Sequence, residues 1–213
     1  MDPTHLNDLP APELIERMAT GDPIPGGGSA AALAGAMGAG LLRMVVALTS
    51  GRPAAAEDET ELTEIAMGAA NCQSELLNLV ELDAVAYDGV IRARRLPRGT
   101  ELERDARAVQ VTAAIREATR APLQTARLAE QVLSLAERLA PIGSRNAISD
   151  AGVGALLAVA ALRGAVLNVQ INLPYLDADD ALRTIAIDEL ERVLSGLDER
   201  ERAIREQVEG QLG

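Results

Sequence analysis

Two stretches, Gly26 to Thr49 and Ala151 to Leu173, are long enough to cross a bilayer and nearly free of charge, and they restrict the folds open to this chain more than any other feature. Each carries one arginine near its middle, Arg43 and Arg163. An arginine at the centre of a bilayer costs roughly 2.5 to 3.5 kcal/mol even on the lenient insertion scale. Neither run has the aromatic belt of a membrane span. Both therefore read as long central helices of a soluble bundle, apolar nearly all round. The chain has no Phe or Trp and only two tyrosines, Tyr87 and Tyr175, so its core must come from Ala, Leu, Val, Ile and Gly. Such a core favours closely approaching helices over a β-sandwich, whose strands draw on aromatic and β-branched residues.

Apolar spacing predicts further helices around these two. A short one is expected over 11–20, with Leu14, Ile15 and Met18 on one side and Gly21 ending it. The first apolar run is expected to be helical from about 28 to 50, where Gly51-Arg-Pro53 breaks the chain. Over about 57–95, Leu62, Ile65, Ala69, Cys72, Leu76, Leu79, Asp83, Ala86 and Val90 recur at alternating steps of three and four, the spacing of a core-facing seam. Helical spacing resumes from Glu101 to about Leu139, with Val109, Ile115, Leu128, Val132 and Leu135 inward and Pro122 marking a kink or break. Pro174 closes the second apolar run, and one outer helix is expected from Asp177–Asp180 to about Gln211. No repeat or linker divides the 213 residues. The expected fold is an all-α, single-domain helical bundle over 1–213 with two long buried Ala/Gly-rich helices.

A net charge of -12 and a pI near 4.6 argue against binding to nucleic acid or to an anionic membrane surface. The lone Cys72 leaves no internal disulfide and fits a reducing compartment, and no cleavable signal precedes the polar N-terminus, so a cytoplasmic location is expected. The one histidine, His5, lies near that terminus, and no His, Cys or acidic set has metal-ligand spacing.

The bend Asp22-Pro-Ile-Pro-Gly-Gly-Gly-Ser29 launches the first apolar helix. Its glycines let a ligand or another backbone come close, and Ser29 is placed to cap the first amides. The start of such a helix favours an anion or a polar heterocycle, although the spacing is that of neither a P-loop nor a dinucleotide fingerprint. Asp83 occupies an apolar position of the long seam, where a carboxylate must find a partner, gain a proton or border a polar cavity. Tyr87 stands one turn on. Arg92, Arg94, Arg95 and Arg98 cluster around Pro97, as dipole complements or as holders of an anionic ligand tail. In the second apolar run Asp150, Asn168 and Asn172 share a stripe, but eighteen residues of helix put Asp150 about 27 Å from Asn168. One reacting atom cannot touch both, so they serve opposite ends of a long ligand or sites built by different subunits. Plain alternatives stand beside these readings: a cap-and-turn role for the glycine bend, an ion pair of Asp83 with Arg43 or Arg163, and N-capping by Ser149 or Asp150.

Six motifs in order and spacing carry a resemblance: Pro25-Gly-Gly-Gly-Ser-Ala-Ala-Ala32, Met44-Val-Val-Ala-Leu-Thr49, Asp83-Ala-Val-Ala-Tyr87, Leu96-Pro97, Asn146-Ala-Ile-Ser-Asp-Ala-Gly-Val153 and Leu167-Asn-Val-Gln-Ile-Asn-Leu173. From about 8 to 205 the chain resembles the cyclodeaminase/cyclohydrolase family, which includes the cyclodeaminase domain of formiminotransferase-cyclodeaminase and free-standing methenyltetrahydrofolate cyclohydrolases. The resemblance implies an all-helical homodimer acting on one-carbon units of tetrahydrofolate, with no cofactor beyond that carrier. It implies closure of 5-formiminotetrahydrofolate to 5,10-methenyltetrahydrofolate with loss of ammonia; the alternatives are hydrolysis of the methenyl compound to 10-formyltetrahydrofolate and a non-catalytic scaffold of the same fold. It makes Asp83 and Asp150 the catalytic candidates, and Pro25, Gly26, Gly27, Gly28, Ser29, Arg52, Tyr87, Asn146, Asn168 and Asn172 the folate-binding ones. Relatives commonly carry lysines and a tyrosine after the Leu-Thr pair, whereas Gly51-Arg-Pro-Ala-Ala stands here with Arg52 as the replacement cation.

Overall fold

The computed structural model describes residues 5–212, and its regular elements among these are all helical. They are α1 (Ala11–Met18), α2 (Gly27–Thr49), α3 (Glu59–Arg94), α4 (Glu101–Leu139), α5 (Ile148–Gln170), α6 (Ala181–Leu194) and α7 (Leu197–Leu212), with short 3-10 turns at Leu6–Asp8, Pro53–Ala55 and Leu173–Tyr175. Helices α2 to α5 run alternately up and down as a four-helix bundle in which α5 returns to pack on α2. The two apolar runs are thus neighbours. Gly38 and Gly154 mark where they touch: a Cβ on Gly38 would sit 2.7 Å from the Gly154 carbonyl oxygen. Only an Ala/Gly surface permits that approach, which accounts for the composition of both runs.

Length separates the inner helices. α3 and α4 have 36 and 39 residues against 23 each in α2 and α5. At about 1.5 Å per residue the α3–α4 hairpin therefore overhangs the end of the bundle where α2 begins and α5 stops. Thr100 and Glu103 form a capping box that starts α4 at the tip of this overhang. The α3 seam is as expected, with Leu62, Ile65, Ala69 and Leu76 fully buried and Cys72 nearly so. Burial pushes the Cys72 thiol up to about 11, so it is an inert core group.

Several details differ from the sequence expectation. α4 continues unbroken through Pro122. The last helix is two, because Gly196 takes φ +67 and turns the chain, so that α6 lies on α4 while α7 crosses to α5. Val109 is 66% exposed: it lies six residues, about 120° of helix, away from the Ile115 row, and Val111 packs on the core instead. Ile15 is exposed because the two-turn α1 touches the bundle through Leu14 and Met18 alone. Arg43 and Arg163 both point outward, Arg43 donating to Gln73 at 2.6 Å and Arg163 pairing with Asp198. α2 and α5 are each long and apolar enough to cross a membrane, yet about half of each apolar window is buried in the bundle. Their outward sides carry Met37, Met44, Leu48, Val153, Leu156 and Leu167, all exposed.

Candidate active site

The glycine bend meets the seam carboxylate at the overhung end. Gly28 has the tightest fit of any described glycine: a Cβ there would lie 2.6 Å from Asp83 Oδ2 and closer still to Oδ1. The triple glycine is therefore a requirement of contact with Asp83. Ser29, buried one residue further on, does not cap α2; Gly26 holds the cap position without a side-chain bond. The Ser29 hydroxyl donates instead to the Val80 carbonyl at 2.8 Å and lies 3.3 Å from Asp83 Oδ2. A hydroxyl has one hydrogen, and the shorter contact takes it. A protonated Asp83 can then donate to the free lone pair of Ser29 Oγ. Burial raises the Asp83 carboxyl above the usual carboxylate range, opposed in part by its polar contacts with the Ser29 side chain and backbone N–H.

Asp83 opens into a cavity of about 220 Å³ whose wall comes from all four inner helices: Gly27 and Gly28 from α2 with Gly26 at its cap, Ala84 and Tyr87 from α3, Ala118 from α4, and Asn168 from α5 with Ile171 and Asn172 just beyond it. Asp83 is the one charged residue in this wall. Gly27 lies against Asn168, where a Cβ would stand 3.5 Å from Nδ2.

The asparagines are held by backbone. Asn168 Nδ2 donates to the Gly164 carbonyl at 2.8 Å. Asn172 Nδ2 donates to the Asn168 carbonyl at 3.0 Å and to the Ala118 carbonyl at 2.9 Å. The second bond explains how α4 tolerates a proline: Pro122 has no N–H, so the carbonyl four residues earlier, Ala118, lacks its helical donor, and Asn172 supplies one. With both amide hydrogens committed, Asn172 offers the cavity an acceptor and not a donor.

Other sequence candidates lie elsewhere. Arg52 and Asn146 line a separate cavity of about 290 Å³ with Thr49, Ser144 and Arg145, where α2 ends and α5 begins. Arg52 donates to the Ser144 hydroxyl, and Ser144 N–H donates to Thr49 Oγ at 2.9 Å. Asp150 sits in the first turn of α5 at this same end; neither it nor Ser149 caps the helix, which starts after Ala147 without a side-chain cap. Within one protomer the structure therefore joins Gly26, Gly27, Gly28, Ser29, Asp83, Tyr87, Asn168 and Asn172; Pro25 is buried and not part of the wall, and Arg52, Asn146 and Asp150 lie at the far end. Sequence reasoning did not single out Pro23, Ile24, Ala84, Ile171 or Ala118, which also line the wall. The one signal for the last was a proline four residues downstream in a helical pattern.

Comparison with known proteins bears on the family and the fold. The family described as Formiminotransferase-cyclodeaminase matches residues 10–192. Methenyltetrahydrofolate cyclohydrolase of Methylorubrum extorquens is 40% identical over 181 residues, 85% of this chain and 86% of that protein. Formimidoyltransferase-cyclodeaminase of Mus musculus is 34% identical over 155 residues, 73% of this chain but 29% of that protein. The crystal structure of formiminotetrahydrofolate cyclodeaminase from Thermotoga maritima matches with a TM-score of 0.85 and 25% identity, covering 98% of this chain and 100% of that one. By the extent of these matches and the identity to a relative of similar length, this chain belongs to the formiminotransferase-cyclodeaminase family.

Proposed function

We propose that this protein converts one-carbon units carried by tetrahydrofolate, and that its reaction is hydrolysis of 5,10-methenyltetrahydrofolate to 10-formyltetrahydrofolate. The observation that carries the chemistry is a carboxyl group, raised above its usual range, standing alone in an otherwise uncharged cavity. The methenyl carbon bridges N5 and N10 as a cation, which a single carboxylate complements. Water attacks that carbon, Asp83 accepts the water's proton, and it returns this proton to N5 as the carbon–N5 bond breaks. The hydroxyl proton then leaves to solvent as the formyl carbonyl forms on N10. A carboxyl raised above its usual range by burial suits both halves of this transfer better than an ordinary surface carboxylate.

Hydrolysis is preferred because the cyclohydrolase relative matches along most of both chains at 40% identity. The fold likeness to the Thermotoga cyclodeaminase supports a second reading with the same machinery. There N10 attacks the protonated formimino carbon, Asp83 takes the N10 proton and passes it to the departing nitrogen, and ammonia leaves the methenyl cation behind. Following the methenyl chromophore separates the two: accelerated loss from methenyltetrahydrofolate marks the hydrolase, and appearance from formiminotetrahydrofolate marks the deaminase. Inertness toward both, with no folate binding, would leave the scaffold reading.

We infer further that the working form is a homodimer paired through the exposed apolar sides of α2 and α5. A two-fold axis across these helices would lay the end bearing Arg52, Asn146 and Asp150 of one protomer against the Asp83 end of the other. Charge favours this direction, since arginines then face the acid cavity and the opposite choice sets like ends together. Asp150 of the partner subunit would hold the donor-rich edge of the pterin, whose amino group and ring N–H match a carboxylate. Mixing Asp83→Asn with Asp150→Asn protein tests the arrangement. Assayed well below KM, where Asp150→Asn alone is slow, a shared site returns about a quarter of normal activity through the half of the dimers that keep one intact site; no recovery would place Asp150 outside the partner's site.

A further inference from the structure

Pro122 is buried inside α4, a helix of 39 residues that runs on through it. A proline there gives up one helical hydrogen bond and is the costliest residue a helix interior can hold. What it produces is a carbonyl, that of Ala118, with no donor from its own helix, in a residue that lines the acid cavity. The two nearest hydroxyls do not serve it: Thr119 donates to the Ile115 carbonyl at 2.8 Å and Thr125 to the Ala121 carbonyl at 3.1 Å.

Asn172 serves it from across the cavity. Its Nδ2 carries two hydrogens, and the Ala118 and Asn168 carbonyls take both. An oxygen in that place would face two acceptors, so the amide has one admissible orientation. The terminal torsion of an asparagine is broad and roughly two-fold, and it is the Ala118 contact from a second helix that removes this freedom. Oδ1 is then the polar atom left for the cavity, and it has no partner among the described residues. The cavity thus presents two acceptors, the Asp83 carboxylate and the Asn172 carbonyl. A water molecule that gives one hydrogen to each keeps its lone pairs for an electrophile. With the amide reversed, Nδ2 would claim a lone pair and blunt the nucleophile.

We propose that Asn172 Oδ1 orients the attacking water together with Asp83, and that Pro122 is a positioning residue that holds Asn172 in this orientation through the Ala118 carbonyl. The assignment rests on the hydrolysis reading above. As the water oxygen bonds to the methenyl carbon, its first proton passes to Asp83 and from there to N5, while the carbon–N5 bond breaks. The second stays on the new hydroxyl, against Oδ1, and leaves to solvent as the formyl carbonyl forms on N10. Asp83 alone would leave the water free to turn about one hydrogen bond; the second acceptor fixes its direction of attack.

The test is a cycle of Asn172→Leu, Pro122→Ala and the double variant, read by melting temperature and by hydrolysis of methenyltetrahydrofolate. Asn172→Leu strands the Ala118 carbonyl, so the melting temperature should fall by about 4 °C, and kcat by about 10²-fold with KM within about threefold of wild type. Adding Pro122→Ala supplies an N–H to that carbonyl, and the double variant should regain the stability and none of the turnover. Pro122→Ala alone should melt no lower than wild type yet turn over about threefold to tenfold more slowly, because the amide is released. A merely structural Asn172 would recover turnover together with stability in the double variant; that result, or near-normal kcat in Asn172→Leu, overturns the proposal. Should wild type hydrolyse nothing, the hydrolysis reading falls, and the melting temperatures decide by themselves whether Pro122 holds Asn172. A loss on Asn172→Leu that vanishes in the Pro122→Ala background supports the hold, and equal losses in both backgrounds overturn it.

Discussion

Where α2 begins and α5 ends, a glycine backbone presses on a half-buried carboxyl, and three polar side chains are fixed by backbone carbonyls: Ser29 by Val80, Asn168 by Gly164 and Asn172 by Ala118. Where α2 ends and α5 begins, Arg52, Arg145 and Asn146 are exposed around an open cavity, beneath which Ser144 N–H donates to Thr49 and the Thr49 hydroxyl to the Val45 carbonyl. The same helix pair thus builds a rigid, uncharged chamber around one acid at one end and a solvated cationic rim at the other. Preorganised groups do chemistry with little rearrangement, whereas exposed ones mainly attract and orient. Substitutions at the first end should consequently alter turnover, and those at the second should alter affinity.

The largest effect is expected at the acid itself. Asp83→Asn should lower kcat by about 10² to 10⁴-fold with an unchanged helical circular-dichroism spectrum. The same variant has a signature in stability. Burial raises the folded-state pKa of Asp83, so its contribution to stability is complete below its unfolded pKa, about 3.9, and is lost as pH rises through the folded value. An amide does not titrate. The melting temperature of the variant relative to wild type should therefore increase from about pH 4 toward neutrality. A flat difference would mean that Asp83 is not desolvated, and near-normal turnover would remove it from the mechanism.

Next comes Gly28→Ala, which adds one carbon where the Asp83 carboxyl sits. Asp has a short side chain and must swing aside, and a displacement of about 1 Å at a reacting group costs on the order of 10²-fold in rate. Gly27→Ala is the comparison, since its added carbon meets Asn168 at an ordinary 3.5 Å. Equal losses in the two variants would show that general disturbance of the helix start, and not the Asp83 contact, governs activity. At the opposite end, Asp150→Asn should raise KM about tenfold through loss of charge-assisted hydrogen bonds to the pterin edge, with a smaller change in kcat. A pure kcat defect would move Asp150 into the proton path and dissolve the contrast between the two ends.

Much of the acid end was legible before any coordinates. The three-four spacing on α3 placed Asp83 among core positions, and three consecutive glycines announced a close approach; their being partners was not legible, because 55 residues separate Gly28 from Asp83 and only packing joins them. The role of Ser29 was misread for a related reason. A serine near a helix start resembles a cap locally, but burial beside α3 gave it a stronger partner in the Val80 carbonyl. Pro122 and Asn172 each looked like a local irregularity, a break in one helix and a stray amide on another. They are one feature, an orphaned carbonyl and its donor, and no window of sequence contains both. Gly196 was the opposite case: the signal was present as Ser195-Gly196, and an unbroken charge pattern across it concealed the turn.

The smallest effect is expected at Arg52, the residue standing where relatives carry lysines. Its side chain is exposed and its bond runs to Ser144, whose N–H is already held by Thr49 Oγ. Arg145 lines the same cavity and supplies a second cation there. Removing one of two solvated charges changes local attraction by less than about 1 kcal/mol, so Arg52→Ala should shift KM by no more than about threefold and leave the melting temperature nearly unchanged. Salt makes the measurement sharper, since a long-range contribution fades as ionic strength rises and a direct bond to the ligand persists. A tenfold rise in KM that survives 0.3 M salt would mean that Arg52 grips an anionic group of the substrate. That result would make the rim at the end of α2 a binding surface as specific as the chamber.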